Sequence, residues 1–348
     1  MDPMLLIFLS SGMFLGWALG ANDAANVFGT AVGTRMVRWR TAAVICSVFV
    51  ILGAVISGAG ASGTLGRLGS ISAMPGAFMT ALAAGLAVYF MTRSGLPVST
   101  SQAIVGAIVG WNLFAGRPTD LAVFSRIVGT WVICPLLSAL IAVVLYKAMR
   151  TVGERLRLHL LTVDALTRTA LIVAGAFGAY SLGANNIANV VGVFIPARPF
   201  PDIEIGGIVI DSARQLFFLG GVAIAVGVFT YSRGVMMTVG GTLGRLSAPK
   251  ALVAVVAQAI VLFLFASKGL ESWLMARGLP TIPLVPVSSS QAVVGAIVGI
   301  SLLQGLAGIR WGVLGRIVIG WVATPVVAGI ICFLGLFFLQ NVFHLAVK

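Results

Sequence analysis

The stretch GANDAANVFGTAVG, residues 20–33, sets an aspartate and two asparagines in a run that is otherwise small or apolar. Of the nine acids in the chain, Asp2, Asp120, Glu154, Asp164, Asp202, Glu204, Asp211 and Glu271 fall at or near expected loops, and Asp23 alone lies well inside an apolar span. An ionised carboxylate at that depth is costly unless something offsets it, and the usual offset is a cation or a proton. Asn22 and Asn26 beside it supply neutral oxygens of the kind Na⁺ accepts. The stretch PVSTSQAIVGAIVG, residues 97–110, has the opposite electrostatics. Its proline ends an extended segment, Ser99, Thr100 and Ser101 are N-cap residues, and QAIVGAIVG continues as an apolar helix. Unpaired N–H groups and hydroxyls at the positive end of a helix dipole attract an oxyanion, and the Gln102 amide adds a donor.

The elements that carry these residues are set by composition. Apolar residues make up 59% of the 348, charged residues only 9%, and the mean hydropathy is +1.09. Charge-free runs at 41–66, 68–92, 127–146, 169–197, 215–232, 251–267 and 317–343 are mostly long enough to cross the ~30 Å hydrocarbon layer as helices. Because the hydrophobicity recurs to the last residues, a signal peptide does not explain it. The chain reads as an all-α, polytopic helical membrane protein in the lipid bilayer, placed in the cell inner (cytoplasmic) membrane. The excess of 22 basic over 9 acidic residues sits in short groups between apolar spans, as the positive-inside bias places them, so no nucleic acid is expected. Cys46, Cys134 and Cys332 lie singly in apolar runs with no paired spacing, which indicates neither a disulfide framework nor a metal cluster and reads as packing.

Self-similarity organises the whole chain. GANDAANVFG at 20 recurs as GANNIANVVG at 183, TLGRL at 64 recurs at 242, PVSTSQAIVGAIVG at 97 recurs as PVSSSQAVVGAIVG at 286, and RIVGTWVICP at 126 recurs as RIVIGWVATP at 316. Four matches in one order make two homologous repeats, 1–147 and 168–348, with a basic, partly amphipathic linker at 148–167 expected as a surface helix. The growing offset places insertions near IPARPFPDIEIGG and ESWLMARGLPTIPL in the second repeat. Repeats of this kind build transporters with a site near the bilayer midplane. The second copies therefore add Asn185, Asn186 and Asn189 to the cation set, and Ser288, Ser289, Ser290 and Gln291 to the anion set. Two helix tips pointing at one volume would cage a tetrahedral anion. Three arginines in TRMVRWR after the first motif, against the mixed loop after the second, favour inverted repeats; a count near four crossings per half favours parallel ones.

In both GAND-type motifs glycine and asparagine are expected to break the helix, exposing carbonyls that only a protein-lined cavity tolerates. Other readings of the same residues stay open. The asparagines also suit interhelical hydrogen bonding, and Gly106, Gly110, Gly295 and Gly299 also fit a small-residue packing seam. Arg93, Arg126 and Arg316 read as interfacial anchors, and Pro135 and Pro325 as kinks in the last helix of each repeat. His159 in the linker is given no chemistry, and with His344 and scattered cysteines it forms no nucleophile, base or metal constellation, so neither an enzyme nor a cofactor is expected.

With both motifs duplicated, the chain resembles the inorganic phosphate transporter family of cation-coupled symporters over essentially its full length. The resemblance implies an inverted-repeat bundle, often a homodimer, with phosphate and coupling cations held between broken GAND helices and the Ser/Thr tips of two re-entrant hairpins. By position it makes Asn22, Asp23, Asn26, Asn185, Asn186 and Asn189 cation ligands, with Na⁺ at Asp23, Asn22 and Asn186. It makes Ser99 to Gln102 and Ser288 to Gln291 the holders of the anion. Many relatives carry a second aspartate where this chain has Asn186, and histidine where it has Gln102 and Gln291. The number and identity of the coupling ions, Na⁺ or H⁺, therefore stay open. Sulfate, which needs donors alone, remains the alternative anion. A passive anion channel would have no use for Asp23.

Overall fold

In the computed structural model the described residues are 3–93, 98–156, 159–242, 247–305 and 310–348. The first repeat comprises α1 (Pro3–Gly33), α2 (Trp39–Ser57), α3 (Ala59–Gly69), α4 (Met74–Arg93), α5 (Thr100–Ala115) and α6 (Leu121–Leu156). The second comprises α7 (Leu160–Val191), α8 (Ser212–Thr242), α9 (Ala248–Leu264), α10 (Lys268–Met275), α11 (Ser289–Leu302) and α12 (Trp311–Asn341). Sequence matches pair α1 with α7, α2 and α3 with α8, α5 with α11, and α6 with α12. Pro97 and the end of the second TLGRL copy, 243–246, lie outside the described residues.

Among the described residues seven helices are long and apolar enough to span a membrane, or eight if α9 and α10, bent by 63° at their junction, form one span. The distribution of side chains is that of a protein in lipid. Leu136 on α6 and Ile319 on α12 are exposed, whereas Asp23 and the asparagines are buried. At 1.5 Å per residue the 16 residues of α5 and the 14 of α11 reach about 24 and 21 Å, short of the ~30 Å hydrocarbon core. Each starts inside the molecule from a buried, extended N-cap residue, Ser99 or Ser288.

The two repeats interlock reciprocally. Helix α1 packs on α8 as α7 packs on α2, and α5 packs on α12 as α11 packs on α6. Glycines make these approaches: a Cβ at Gly20 would land on the Ile224 carbonyl oxygen, and one at Gly183 on that of Val50. On the other pair, Gly106 meets Pro325 and Gly295 meets Pro135 backbone. The seam reading of these glycines is therefore correct, and both prolines sit inside uninterrupted helices.

Two expectations need correction. The GAND-type motifs do not break their helices, because α1 and α7 run through them as continuous α-helix. Gly20 and Gly183 serve close backbone approach, and the asparagine side chains bond sideways to other elements instead of competing for their own backbone. The interruptions fall elsewhere, at Gly58 between α2 and α3 and at 265–267 between α9 and α10. The described residues of 148–167 do not form a separate surface helix either. Residues 148–156 continue α6 and residues 160–167 begin α7, which His159 caps by accepting from the Leu161 N–H at 3.3 Å. One departure from all-α lies in the first insertion. Strands β1 (Ile203–Ile205) and β2 (Ile208–Ile210) pair antiparallel through Gly206 and Gly207, whose φ of +57° and +81° a two-residue hairpin turn demands.

Candidate functional site

The four motifs converge at the centre of the molecule. Asp23 on α1 is 2% exposed and ringed by amides: its Oδ1 accepts from Asn22 Nδ2 at 2.7 Å and Asn26 Nδ2 at 3.5 Å, and its Oδ2 from Asn186 Nδ2 at 3.4 Å. The two positions that differ in charge between the repeats, Asp23 and Asn186, thus face each other where α1 meets α7. Among the described residues, the two ion pairs are the exposed Arg150–Glu154 and Arg168–Asp164, and no basic side chain neutralises Asp23.

Both helix tips are capped as their sequences require. Ser99 accepts from the Gln102 N–H and Ser288 from the Gln291 N–H, each at 3.2 Å. The first-turn N–H groups of α5 and α11 have no acceptor within their own helices. Asparagines hold the tips in place by two kinds of bond. Within a repeat, Asn22 donates to the Val98 carbonyl at 3.2 Å, while Asn185 donates to the Val285 carbonyl and accepts from the Val287 N–H. Between repeats, Asn26 donates to Ser289 Oγ at 3.0 Å and Asn189 to Ser101 Oγ at 2.9 Å. The Ser101 hydroxyl donates on to the Val287 carbonyl at 3.0 Å, so the tip of α5 touches the segment that leads into α11.

Several oxygens in this interior have no hydrogen-bond partner: Asn186 Oδ1, Asn189 Oδ1, Gln102 Oε1, Gln291 Oε1 and Thr100 Oγ1. Buried oxygens are rarely left unmatched without reason. Beside a carboxylate, amide oxygens form the all-oxygen surroundings that hard cations accept. The carboxylate and amides therefore suit a cation, and the helix tips an anion. No group of three or more His, Cys, Asp or Glu suited to a resident metal occurs among the described residues.

All fourteen residues singled out from the sequence are buried and lie on these four elements or at their tips. The backbone partners Val98, Val285 and Val287 could not be read from sequence, because a carbonyl carries no residue signature. Gln258 was also missed. It is 1% exposed on α9 with both amide atoms unpartnered, and its signal was a lone amide in the apolar run ALVAVVAQAIVLFLF. Arg93 bonds Tyr89 on its own helix and stands exposed.

A multi-pass bundle of duplicated, interlocked repeats, with a buried acid between two helix tips, has the architecture of a membrane transporter. The chain belongs to the phosphate transporter family, whose profile matches residues 19–163 and again 158–332, once per repeat. It is 27% identical to the "Putative phosphate permease" of Methanocaldococcus jannaschii over 92% of this chain and 93% of that one. It is also 27% identical to that of Thermococcus kodakarensis, over 95% and 96%. A solved structure described as a sodium-dependent phosphate transporter shares the fold, with a TM-score of 0.76 at 24% identity over 97% of this chain and 99% of that one.

Proposed function

We propose that this protein is a secondary active symporter of inorganic phosphate, driven by Na⁺ or H⁺ and working as a homodimer in the cytoplasmic membrane. The observation that carries the reading is the buried, unneutralised Asp23 set against two facing helix tips. A carboxylate in this interior is costly without a positive charge, and a multivalent anion there is equally costly. Each ion lowers the cost of the other, and that reciprocity is coupling.

The uncommitted donors divide the labour. Ser99 and Thr100 keep hydroxyl hydrogens free for the anion, Ser289 bonds the Asp23 carboxylate, Ser288 and Ser290 share one bond at 3.0 Å, and Ser101 is committed to holding the two tips together. Na⁺ fits at Asp23 with the free Oδ1 atoms of Asn186 and Asn189 and the oxygen of Asn22. Phosphate is favoured over sulfate because the unpartnered Gln102 and Gln291 oxygens are acceptors that a phosphate O–H satisfies and sulfate leaves idle.

Uptake of labelled phosphate and labelled sulfate into proteoliposomes, with Na⁺ and pH gradients imposed separately, tests this reading. Gradient-driven accumulation of phosphate over sulfate is expected; uptake that merely equilibrates would make the protein a channel, and preferred sulfate would change the substrate.

A further inference from the structure

One repeated motif, TLGRL, has no part in the buried site. Arg67 from its first copy lies on α3 and lines a cleft of about 600 Å³ together with Arg126 of α6 and Lys268 of α10. Glu271 is the one acid on the lining, which leaves three cations against one carboxylate. None of the three joins an ion pair among the described residues, and all three are exposed. Anchoring at the interface does not account for cations from three separate helices gathered around one polar cavity.

The floor of the cleft connects it to the interior. Leu284 and Val285 line it, and the Thr64 hydroxyl, also on its wall, donates to the Leu284 carbonyl at 2.5 Å. The same Val285 carbonyl accepts from Asn185 of the buried site. From Val285 the extended chain runs three residues to the Ser288 tip, about 10 Å at the rise of an extended strand. Liquid water takes roughly 30 Å³ per molecule, so the cleft holds an anion with its hydration intact.

We propose that this cleft is a second, outer site for a phosphate group, at which the anion is held hydrated by Arg67, Arg126 and Lys268 before it reaches the tips. The proposal rests on the tips being the transport site. Fields of one sign focused in a cleft raise local substrate concentration and on-rates by about 10 to 10³-fold and are screened over ~10 Å at 0.1 M salt. Neutralising the cations therefore acts on KM and leaves kcat alone.

The test is the triple variant Arg67→Gln, Arg126→Gln, Lys268→Gln, reconstituted in phosphatidylcholine alone and with phosphatidylglycerol added. The three side chains are exposed, so glutamines there carry little folding cost. Expected is a KM for labelled phosphate raised about tenfold at low salt, with kcat unchanged, and a difference that closes at high salt. An effect in both lipids assigns the site to free phosphate; an effect only with phosphatidylglycerol assigns it to a lipid headgroup. Arg67→Lys with Arg126→Lys should keep the wild-type KM. Equilibrium binding of inorganic phosphate separates this proposal from the transport reading, because a salt-sensitive weak site should survive in Ser99→Ala/Ser289→Ala and vanish in the triple variant. An unchanged KM together with an unchanged weak site, or a fall in kcat alone, overturns the proposal.

Discussion

Replacing Ser101 by alanine should weaken the docking of the α5 tip more than Ser290→Ala weakens that of α11, although the two serines hold the same position in the repeated motif. Ser101 accepts from Asn189 at 2.9 Å and donates to the Val287 carbonyl at 3.0 Å, while the side-chain bond found for Ser290 is the one it shares with Ser288 on its own tip at 3.0 Å. Interhelical hydrogen bonds in membranes average about 0.6 kcal/mol and reach ~1.7, and a buried polar group left stranded costs roughly 1–3 kcal/mol. Ser101→Ala loses two bonds and strands an N–H and a carbonyl, so about 2–4 kcal/mol is expected; Ser290→Ala loses one bond within its own tip, for about 0.5–1.5 kcal/mol. If the docked tip is the binding-competent state, apparent phosphate affinity falls with the docked fraction. The assay is unfolding of the purified variants in mixed micelles with and without phosphate. It is paired with a double-mutant cycle of Ser101→Ala and Asn189→Ala, whose coupling should be roughly 0.5–1.7 kcal/mol. A larger loss at Ser290 than at Ser101, or a coupling of zero, would refute the strut.

Three further outcomes follow from the same geometry. Asn186→Asp places a second carboxylate opposite Asp23, tolerable only with a second positive charge, so uptake should depend more steeply on Na⁺ or gain a new pH dependence; indistinguishable Hill slopes and pH profiles would remove Asn186 from the coupling site. Gly295→Ala puts a methyl group onto the Pro135 carbonyl, so overpacking of about 1–3 kcal/mol should lower the melting temperature in detergent, while Gly315→Ala, with open space around it, should not. If the repeats are inverted, single cysteines at Arg38 and at Asp211 should be labelled from opposite sides of sealed vesicles; labelling from one side would make them parallel.

Much of the site is legible in the sequence because each part carries a chemical anomaly: an acid in an apolar span, and hydroxyls heading an apolar helix, both duplicated. Roles were harder to read. Ser101 looks identical to its neighbours until the structure commits its hydroxyl to Val287. Gly20 and Gly183 look like helix breakers, yet what they admit is a neighbouring backbone, a tertiary contact that local propensity does not encode. The basic cleft was invisible for a different reason. Arg67, Arg126 and Lys268 are ordinary loop-flanking cations in sequence, and only the packing of three helices gathers them.

The central claim, that the buried carboxylate ties cation to anion, is tested most directly by Asp23→Asn. The side chain is nearly isosteric and its amide surroundings from Asn22, Asn26 and Asn186 can reorient, so the fold should persist. Concentrative phosphate uptake into proteoliposomes under imposed Na⁺ and pH gradients is the measurement, with thermal unfolding as the control for folding. A folded variant that no longer accumulates phosphate above equilibrium under either gradient is the predicted result; accumulation at the wild-type level under either gradient would contradict it.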